Sequence, residues 1–270
     1  MNRGIEVTCV ITSYNRKELL QKALDSVLAQ TYPVAEIIVM DDASSDDSRQ
    51  LIQAYESKYT QVRGIIRSEN VGVSRNRHDG IIAAKSDWVT TLDGDDEYDP
   101  GKIEAEVRAI EGDYSLAYSD TIVVTEQGSK RVDVSYMKNL KKADFLFHFI
   151  SRTHKLPRDL LFSKQLYLDV GGFDLSINLM EDWEIRHRLI LAASACSFSG
   201  APGTNYNRHG TGLSSGGALK ALRKILYCLS RNRSALIACM GLRRYCHAIS
   251  MHVFVALKRS VHAVCHLNKN

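Results

Sequence analysis

The first hundred residues alternate between short apolar runs and longer amphipathic segments. Four apolar runs have the length of buried β-strands, namely residues 7–11, 37–40, 62–66 and 88–92. The segments between and after them predict helices, which follow Asn15, extend through Tyr59, span 73–84 and run from Asp99 to about 110. Asn15 and Glu18 are a candidate capping box for the first helix. The alternation favours an α/β fold with a mostly parallel central sheet flanked by helices.

The second half of the chain has a less regular pattern. Its predicted strands lie at 116–118, at 121–125 and from the turn at 127–128 to Val134, and its predicted helices at 144–150 and 181–193. Residues 202–217 are rich in Gly, Ser, Asn and Thr, which predicts a loop, and the remainder is helical in pattern. The sequence therefore predicts a domain over residues 1–216 and a helical C-terminal extension over 217–270.

The composition is that of an ordinary globular protein, with 44% apolar and 24% charged residues. The net charge of +4 hides a division along the chain. Of the 35 basic residues, 13 lie from Ile185 onward, where no acidic residue occurs, and the other 22 stand against 31 acidic residues in the first 184. The predicted domain is therefore acidic and the extension strongly basic.

The basic extension has explanations that the sequence leaves open. Its interleaved apolar and basic residues suit helices that lie on an anionic membrane surface. They equally suit helices that pack an apolar face on the preceding domain or on a second subunit, which would give an oligomer. Nucleic-acid binding is not favoured, because no recognition module accompanies the charge.

The cysteines and the N-terminus bear on the cellular compartment. None of the six cysteines, Cys9, Cys196, Cys228, Cys239, Cys246 and Cys265, forms a C-x-x-C pair, and the first residues lack a secretory signal pattern. These features predict reduced thiols and a cytoplasmic protein, with the inner face of the cytoplasmic membrane as the place of any peripheral contact.

Polar residues follow three of the predicted strands at the point where each strand ends. They are residues 12–15, 41–42 and 93–96. Ligands of parallel sheets bind beyond the carboxyl ends of the strands, so these clusters are expected to meet. The three carboxylates within 93–96 repel one another unless a cation or solvent neutralises them, and Mn²⁺ or Mg²⁺ prefers such hard oxygen ligands. Taken alone, the run suits a solvated acidic turn equally well, while its short length excludes an EF-hand.

Three more acidic residues are candidates for binding or catalysis. Asp42 stands directly at a strand end, where its carboxylate can accept a hydrogen bond from a base N–H or a ribose hydroxyl. Glu181 and Asp182 begin a predicted helix, whose dipole favours acidic residues in the first turn. The same pair can supply a general base that removes a proton from a hydroxyl.

The motifs, taken in order, resemble those of family 2 glycosyltransferases, which have the GT-A fold. The matching segments are residues 10–16, 26–32, 38–46, 70–76, 92–96, 171–174 and 181–184. Each segment alone is a weak signal, and the resemblance rests on their order over roughly residues 7–210.

The resemblance implies a role for each matching polar residue. Asp95 would be the principal ligand of Mn²⁺ or Mg²⁺, and Asp93 would meet the ribose or the metal. Asp182 would be the catalytic base, while Glu181 would contact the acceptor or orient the site. The nucleotide would be bound by Thr12, Tyr14, Asn15, Arg16, Asp42, Arg75 and Asp93, and the diphosphate would meet Arg208 or His209. No role is implied for Asp96.

The implied reaction is a single displacement with inversion. It would move a hexosyl or N-acetylhexosaminyl unit from a nucleotide diphosphate, usually UDP, to a hydroxyl of a saccharide acceptor, with a lipid-linked acceptor in bacterial surface-polysaccharide or O-antigen-type synthesis as the analogy. An inactive nucleotide-sugar-binding or scaffold protein of the same fold is an alternative, against which the intact Asp95 and Asp182 argue. A sugar nucleotidyltransferase is disfavoured. Such enzymes need a glycine-rich, arginine-containing loop after the first strand, and residues 12–16 of this chain contain no glycine.

Overall fold

The computed structural model describes residues 4–151, 159–177, 180–207 and 218–267, with side chains over 219–258 in the last range. Within these ranges nine strands form one sheet, and ten α-helices surround it. The strands are β1 Val7–Ser13, β2 Glu36–Asp41, β3 Val62–Ile66, β4 Trp88–Asp93, β5 Glu97–Tyr98, β6 Leu116–Thr125, β7 Gly128–Val132, β8 Leu160–Ser163 and β9 Cys196–Asn207. The helices are α1 Lys17–Leu28, α2 Ser48–Lys58, α3 Val73–Ala83, α4 Lys102–Ala109, α5 Lys142–Ser151, α6 Lys164–Asp169, α7 Glu181–Ala192, α8 Ala218–Arg231, α9 Arg233–Met240 and α10 Leu242–Leu267.

Strands β1 to β4 confirm the four strands predicted in the first hundred residues. β1 pairs in parallel with β2 and β4, and β2 pairs in parallel with β3. The register sets Thr12 beside both Met40 and Asp93, and it sets Ser13 beside Asp41. The three polar clusters therefore lie at one edge of the sheet, as expected for the carboxyl ends of parallel strands.

Beyond β4 the sheet is mixed, so the parallel pairing of this α/β fold is concentrated in its first four strands. β8 runs antiparallel to β4 and β6, and β9 runs parallel to β6. The loop predicted at 202–217 is wrong for residues 202–207, which end β9. Thr204 pairs with Thr121 on one side and Tyr98 on the other, so neighbouring strands hold a segment whose own composition favours a loop. Residues 208–217 lie outside the described part of the chain.

The start of α1 differs from the predicted capping box. Arg16 occupies the N-cap position and makes no side-chain capping bond. Asn15 adopts a left-handed backbone with φ of 51°, and its Oδ1 accepts a hydrogen bond from Ser45 N at 2.7 Å. The first helical N–H, that of Lys17, donates instead to Asp46 Oδ2 at 3.1 Å. The cap is thus supplied by the loop after β2, which local sequence spacing cannot reveal.

Two hydrophobic layers cover the sheet, and alternate residues of each strand feed them. Ile11 belongs to the layer that contains Leu24 of α1 and Ile103 of α4. Val10 belongs to the opposite layer, which contains Ile81 of α3 together with residues of α5 and α7. Helices α3 and α7 therefore lie on the same side of the sheet, next to the edge that carries the polar clusters.

The C-terminal extension packs on the domain that precedes it. Most of its buried apolar residues belong to the same core layer as α7, namely Ile225, Cys228, Leu229, Leu236, Met240, Tyr245 and Ala248. Asn232 donates from Nδ2 to Glu184 Oε1 of α7 at 3.0 Å, and Arg231 pairs with Asp174 at 3.3 Å. Within the described residues, each helix is either too short or too polar to cross a membrane.

Candidate active site

The acidic run after β4 forms a compact group of carboxylates. Asp93, Asp95 and Asp96 each offer an oxygen, and these atoms lie within 4.8 Å of one another. Gly94 N donates to Thr12 O at 2.9 Å, and a Cβ on Gly94 would lie only 2.8 Å from that oxygen, so a side chain there would clash. This close approach keeps the turn against the end of β1. Carboxylate oxygens grouped this closely are the hard ligands that a divalent cation such as Mn²⁺ or Mg²⁺ prefers.

Asp96 differs from the other two carboxylates, because it is only 2% exposed. Its Oδ1 accepts a hydrogen bond from Asn207 N at 2.9 Å, and Asn207 Nδ2 donates to Asp95 O at 2.8 Å. Asp96 therefore fastens the end of β9 to the acidic turn. No role could be assigned to Asp96 from the sequence, because its partner Asn207 lies more than a hundred residues away.

Two arginines neutralise the other carboxylates. Arg16 pairs with Asp95, and Arg77 pairs with both Asp93 and Glu181. Arg77 is 7% exposed, and its Nη1 donates to Glu181 Oε1 at 3.0 Å. Burial lowers the pKa of Arg77, but the neighbouring carboxylates outweigh it and leave this pKa raised. Arg77 thus joins the end of β4 to the start of α7 as a permanent cation.

The sequence predicted a site role for Arg75 but none for Arg77. Arg75 is about half exposed and pairs with Asp79 at 3.1 Å, one turn along α3. Residues two apart on a helix point in nearly opposite directions, so only one of the two arginines can face the acidic group. The expected contact of Arg75 with the nucleotide stays a prediction. The spacing of Ser74, Arg77 and Ile81 could have indicated Arg77, because it places the three residues on one face of a helix, and the structure buries that face.

Glu181 and Asp182 share the first turn of α7 but differ in environment. Glu181 is 9% exposed, and burial, followed by the nearby Asp182, raises its pKa although Arg77 opposes the shift. The Asp182 side chain is 37% exposed, and its Oδ2 accepts from Arg186 Nη2 at 2.5 Å. Of the two acids, Asp182 is thus the more accessible from solvent.

A narrow cleft with a volume of about 30 Å³ extends from these residues into the protein. Charged side chains line part of it, namely Arg77, Asp93, Asp159, Asp182 and Arg186. Its deeper wall is largely apolar and is formed by Ile81, Leu160, Phe162, Tyr167, Phe173, Ile185 and Leu189. Carboxylates from β4 and α7 therefore open into one concave space.

The other expected nucleotide-binding residues surround the same sheet edge. Thr12 Oγ1 lies 3.5 Å from Asp93 Oδ1. Tyr14, two residues after Thr12, is 48% exposed. Both carboxylate oxygens of Asp42 accept backbone hydrogen bonds, from Val71 N and Gly72 N at 2.9 Å each. Asp42 therefore holds the loop before α3, a contact that the sequence did not predict. Arg208 and His209 lie outside the described residues.

Comparison with known proteins agrees with this geometry. The family model described as "Glycosyl transferase family 2" matches residues 8–164. An uncharacterized protein of Mycobacterium bovis is 30% identical over 193 residues, which are 67% of this chain and 53% of that protein. This chain thus spans about half the length of that curated relative.

Two further relatives are also similar in sequence. The putative teichuronic acid biosynthesis glycosyltransferase TuaG of Bacillus subtilis is 31% identical over 101 residues, 37% of this chain and 40% of TuaG. The Campylobacter jejuni GalNAc(5)-diNAcBac-PP-undecaprenol beta-1,3-glucosyltransferase is 27% identical over 122 residues, 45% of this chain and 40% of that enzyme.

Among solved structures, S. aureus TarS 1–349 in complex with UDP-GlcNAc gives a TM-score of 0.69 at 18% identity, over 89% of this chain and 72% of TarS. The mannosyltransferase PcManGT of Pyrobaculum calidifontis, in complex with GDP-Man and Mn²⁺, gives 0.63 at 13% identity, over 97% of this chain and 76% of that chain. These likenesses establish the GT-A fold.

Proposed function

Because the chain belongs to glycosyl transferase family 2, we propose that it moves a hexosyl or N-acetylhexosaminyl unit from a nucleotide diphosphate to an acceptor hydroxyl with inversion. One observation carries the proposal. Arg77 joins Asp93, at the end of β4, to Glu181, at the start of α7. Donor-side and acceptor-side carboxylates thus open into one cleft, which is the arrangement that a single displacement requires.

The donor side consists of the acidic turn and the loops after β1 and β2. Asp95 is the proposed principal ligand of Mn²⁺ or Mg²⁺, and Asp93 is an accessory ligand. When bound, the cation would supply charge neutralisation for the leaving diphosphate. Thr12, Tyr14 and Asp42 border the space for the nucleotide. UDP is the proposed nucleotide, in keeping with the UDP-GlcNAc complex of TarS.

The acceptor side centres on Asp182. Its partly exposed carboxylate is proposed to take the proton of the acceptor hydroxyl as that oxygen attacks the anomeric carbon from the face opposite the diphosphate. An α-linked donor then gives a β-linked product. A lipid-linked saccharide in surface-polysaccharide synthesis is the proposed acceptor. The name of the Campylobacter relative contains a saccharide linked to undecaprenol, which supports the lipid linkage.

The proposed reaction is tested by release of nucleotide diphosphate from a panel of UDP-, GDP- and dTDP-sugars, with and without saccharide acceptors. Acceptor-dependent release from one donor class would support a transferase. Donor binding without any release, over the whole panel, would favour the inactive nucleotide-sugar-binding protein.

Asp95→Ala is expected to weaken UDP binding in the presence of Mn²⁺ by at least about tenfold. Loss of a group that only supports a metal ligand typically costs about tenfold or more in metal affinity, and Asp95 is the proposed direct ligand. Calorimetric titration with UDP, at saturating Mn²⁺ and then with chelator, measures the effect. Asp113→Ala is the matched control, since Asp113 is exposed and outside the site. Equal Mn²⁺-dependent affinity in the two variants would contradict the assignment of Asp95.

We also propose that the solvent-facing side of α10 contacts an anionic membrane surface. Phe254 is 67% and Leu257 56% exposed, and the exposed Arg243 and Lys258 lie on the same helical face. Apolar side chains flanked by cations suit the interface of a bilayer with anionic headgroups.

Phe254→Ser with Leu257→Ser should reduce binding to vesicles of phosphatidylglycerol and phosphatidylethanolamine by about tenfold or more, from the apolar area lost. Co-sedimentation measures the bound fraction, and Leu168→Ser, at an exposed position of α6, is the control. Substitutions are preferred to truncation, because Tyr245 and its neighbours belong to the core. Equal sedimentation of both variants would contradict membrane contact.

A further inference from the structure

The carboxylate that we assign to the metal already has a cationic neighbour. The Arg16 guanidinium pairs with Asp95 Oδ2, and the two side chains are 35% and 24% exposed. Arg16 comes from the loop after β1, whereas Asp95 follows β4. The ion pair therefore connects two segments that border the proposed nucleotide site.

The backbone at Arg16 is held independently of this ion pair. Asn15 N donates to Ser44 Oγ at 2.8 Å, and Lys17 N donates to Asp46 Oδ2 at 3.1 Å. The guanidinium stands at the end of a long, partly exposed side chain with several rotatable bonds. It can leave Asp95 while the loop stays in place, whereas Arg77 is buried between two carboxylates.

A guanidinium and a divalent cation compete for Asp95. Both are positively charged, so contact of both with one carboxylate in a partly buried site is opposed by their mutual repulsion. A nucleotide diphosphate changes this balance, since its oxygens offer Arg16 a second anionic partner. Guanidinium groups bind phosphate oxygens as readily as carboxylate oxygens.

We propose that Arg16 is an exchangeable counter-ion of Asp95. It neutralises Asp95 in the donor-free protein and moves to the diphosphate when Mn²⁺ or Mg²⁺ takes the carboxylate. This inference rests on the proposed function. Its consequence is thermodynamic coupling: the cation binds weakly alone and tightly with the nucleotide, and the nucleotide shows the same dependence on the cation.

The test is the binding of Mn²⁺ to Arg16→Gln without nucleotide, measured from the electron paramagnetic resonance signal of free Mn²⁺. Removal of the competing cation should tighten this binding by about five- to tenfold, within the usual range of coupling. UDP affinity at saturating Mn²⁺, measured by calorimetry, should fall, because the diphosphate loses its arginine. Lys17→Gln is the control, since Lys17 pairs with Asp47 at the surface, and it should leave both affinities unchanged.

Each outcome decides the proposal. Mn²⁺ affinity that is unchanged or weaker in Arg16→Gln overturns it, even where Asp95→Ala abolishes metal-dependent UDP binding and the proposed function stands. Absence of Mn²⁺ binding to the unmodified protein, with and without UDP, overturns both this inference and the proposed metal site. Tighter Mn²⁺ binding together with weaker UDP binding supports the exchange. Tighter Mn²⁺ binding with unchanged UDP affinity overturns it, because Arg16 then does not move to the diphosphate.

Discussion

Asp182→Asn is expected to lower the rate of sugar transfer by about a thousandfold, while donor affinity stays within about twofold of the unmodified protein. Asparagine has nearly the same shape and can still accept the hydrogen bond that Trp183 N donates to Asp182 Oδ1 at 2.8 Å. It cannot take the proton of the acceptor hydroxyl, which is the step assigned to this side chain. Donor binding should be retained, because the proposed metal and nucleotide ligands come from the ends of β1, β2 and β4.

Single-turnover release of UDP, with acceptor in excess, measures the chemical step, and calorimetry with UDP measures binding. Asp169→Asn makes the same chemical change at an exposed position of α6 and should be fully active. Near-normal turnover by Asp182→Asn would remove this residue as the base. If Glu181→Gln were the inactive variant instead, the buried acid with the raised pKa would take that role.

Arg77→Met is expected to lower the free energy of unfolding by about 3 kcal/mol and to abolish activity. Methionine fills a similar volume but leaves Asp93 and Glu181 facing each other without a cation. Removal of one member of a buried ion pair usually costs about 3–5 kcal/mol, and the lower end applies because the Asp93 side chain is 31% exposed. Activity is lost with it, since both ends of the cleft depend on this one guanidinium.

Urea unfolding followed by circular dichroism measures the loss of stability. Arg75→Met is the matched control, because its pair with Asp79 is half exposed and should contribute less than about 1 kcal/mol. Glu181→Gln added to Arg77→Met should restore part of the lost stability by removing one of the facing charges. Equal stability of Arg77→Met and Arg75→Met would contradict the bridging role of Arg77.

The stability of Arg77→Met should also depend on pH. Glu181 already has a raised pKa, and loss of Arg77, which lowers it, will raise it further. A carboxyl whose folded pKa exceeds the unfolded value stabilises the fold at low pH, and this contribution is lost as pH rises through the folded pKa. The loss of unfolding free energy in Arg77→Met should therefore be smaller at pH 5 than at pH 8.

Much of this protein follows from local sequence. Strands β1 to β4 were predicted within two residues of their observed ends, because buried strands and amphipathic helices have different periods, whereas the two-residue β5 was not predicted. Parallel order then predicted that Thr12, Asp42 and Asp93 meet at one edge. The assignments of Asp95 and Asp182 also come from the motifs, and they stay predictions until the variants above are measured.

Only the tertiary structure determined the contacts between residues that are far apart in the sequence. Arg77 meets Glu181 over a sequence separation of 104 residues, and Asn207 meets Asp96 over 111. Neither contact has a periodic signature, since each depends on how α3, α7 and β9 pack against the sheet. Residues Pro202 to Asn207 likewise form a strand only because they pair with neighbouring strands. The apolar face of the C-terminal extension likewise packs on the core of the preceding domain, which its sequence alone did not decide. Local periodicity determines which face of an element is buried, whereas the identity of the side chain that it meets depends on the folded arrangement of distant segments.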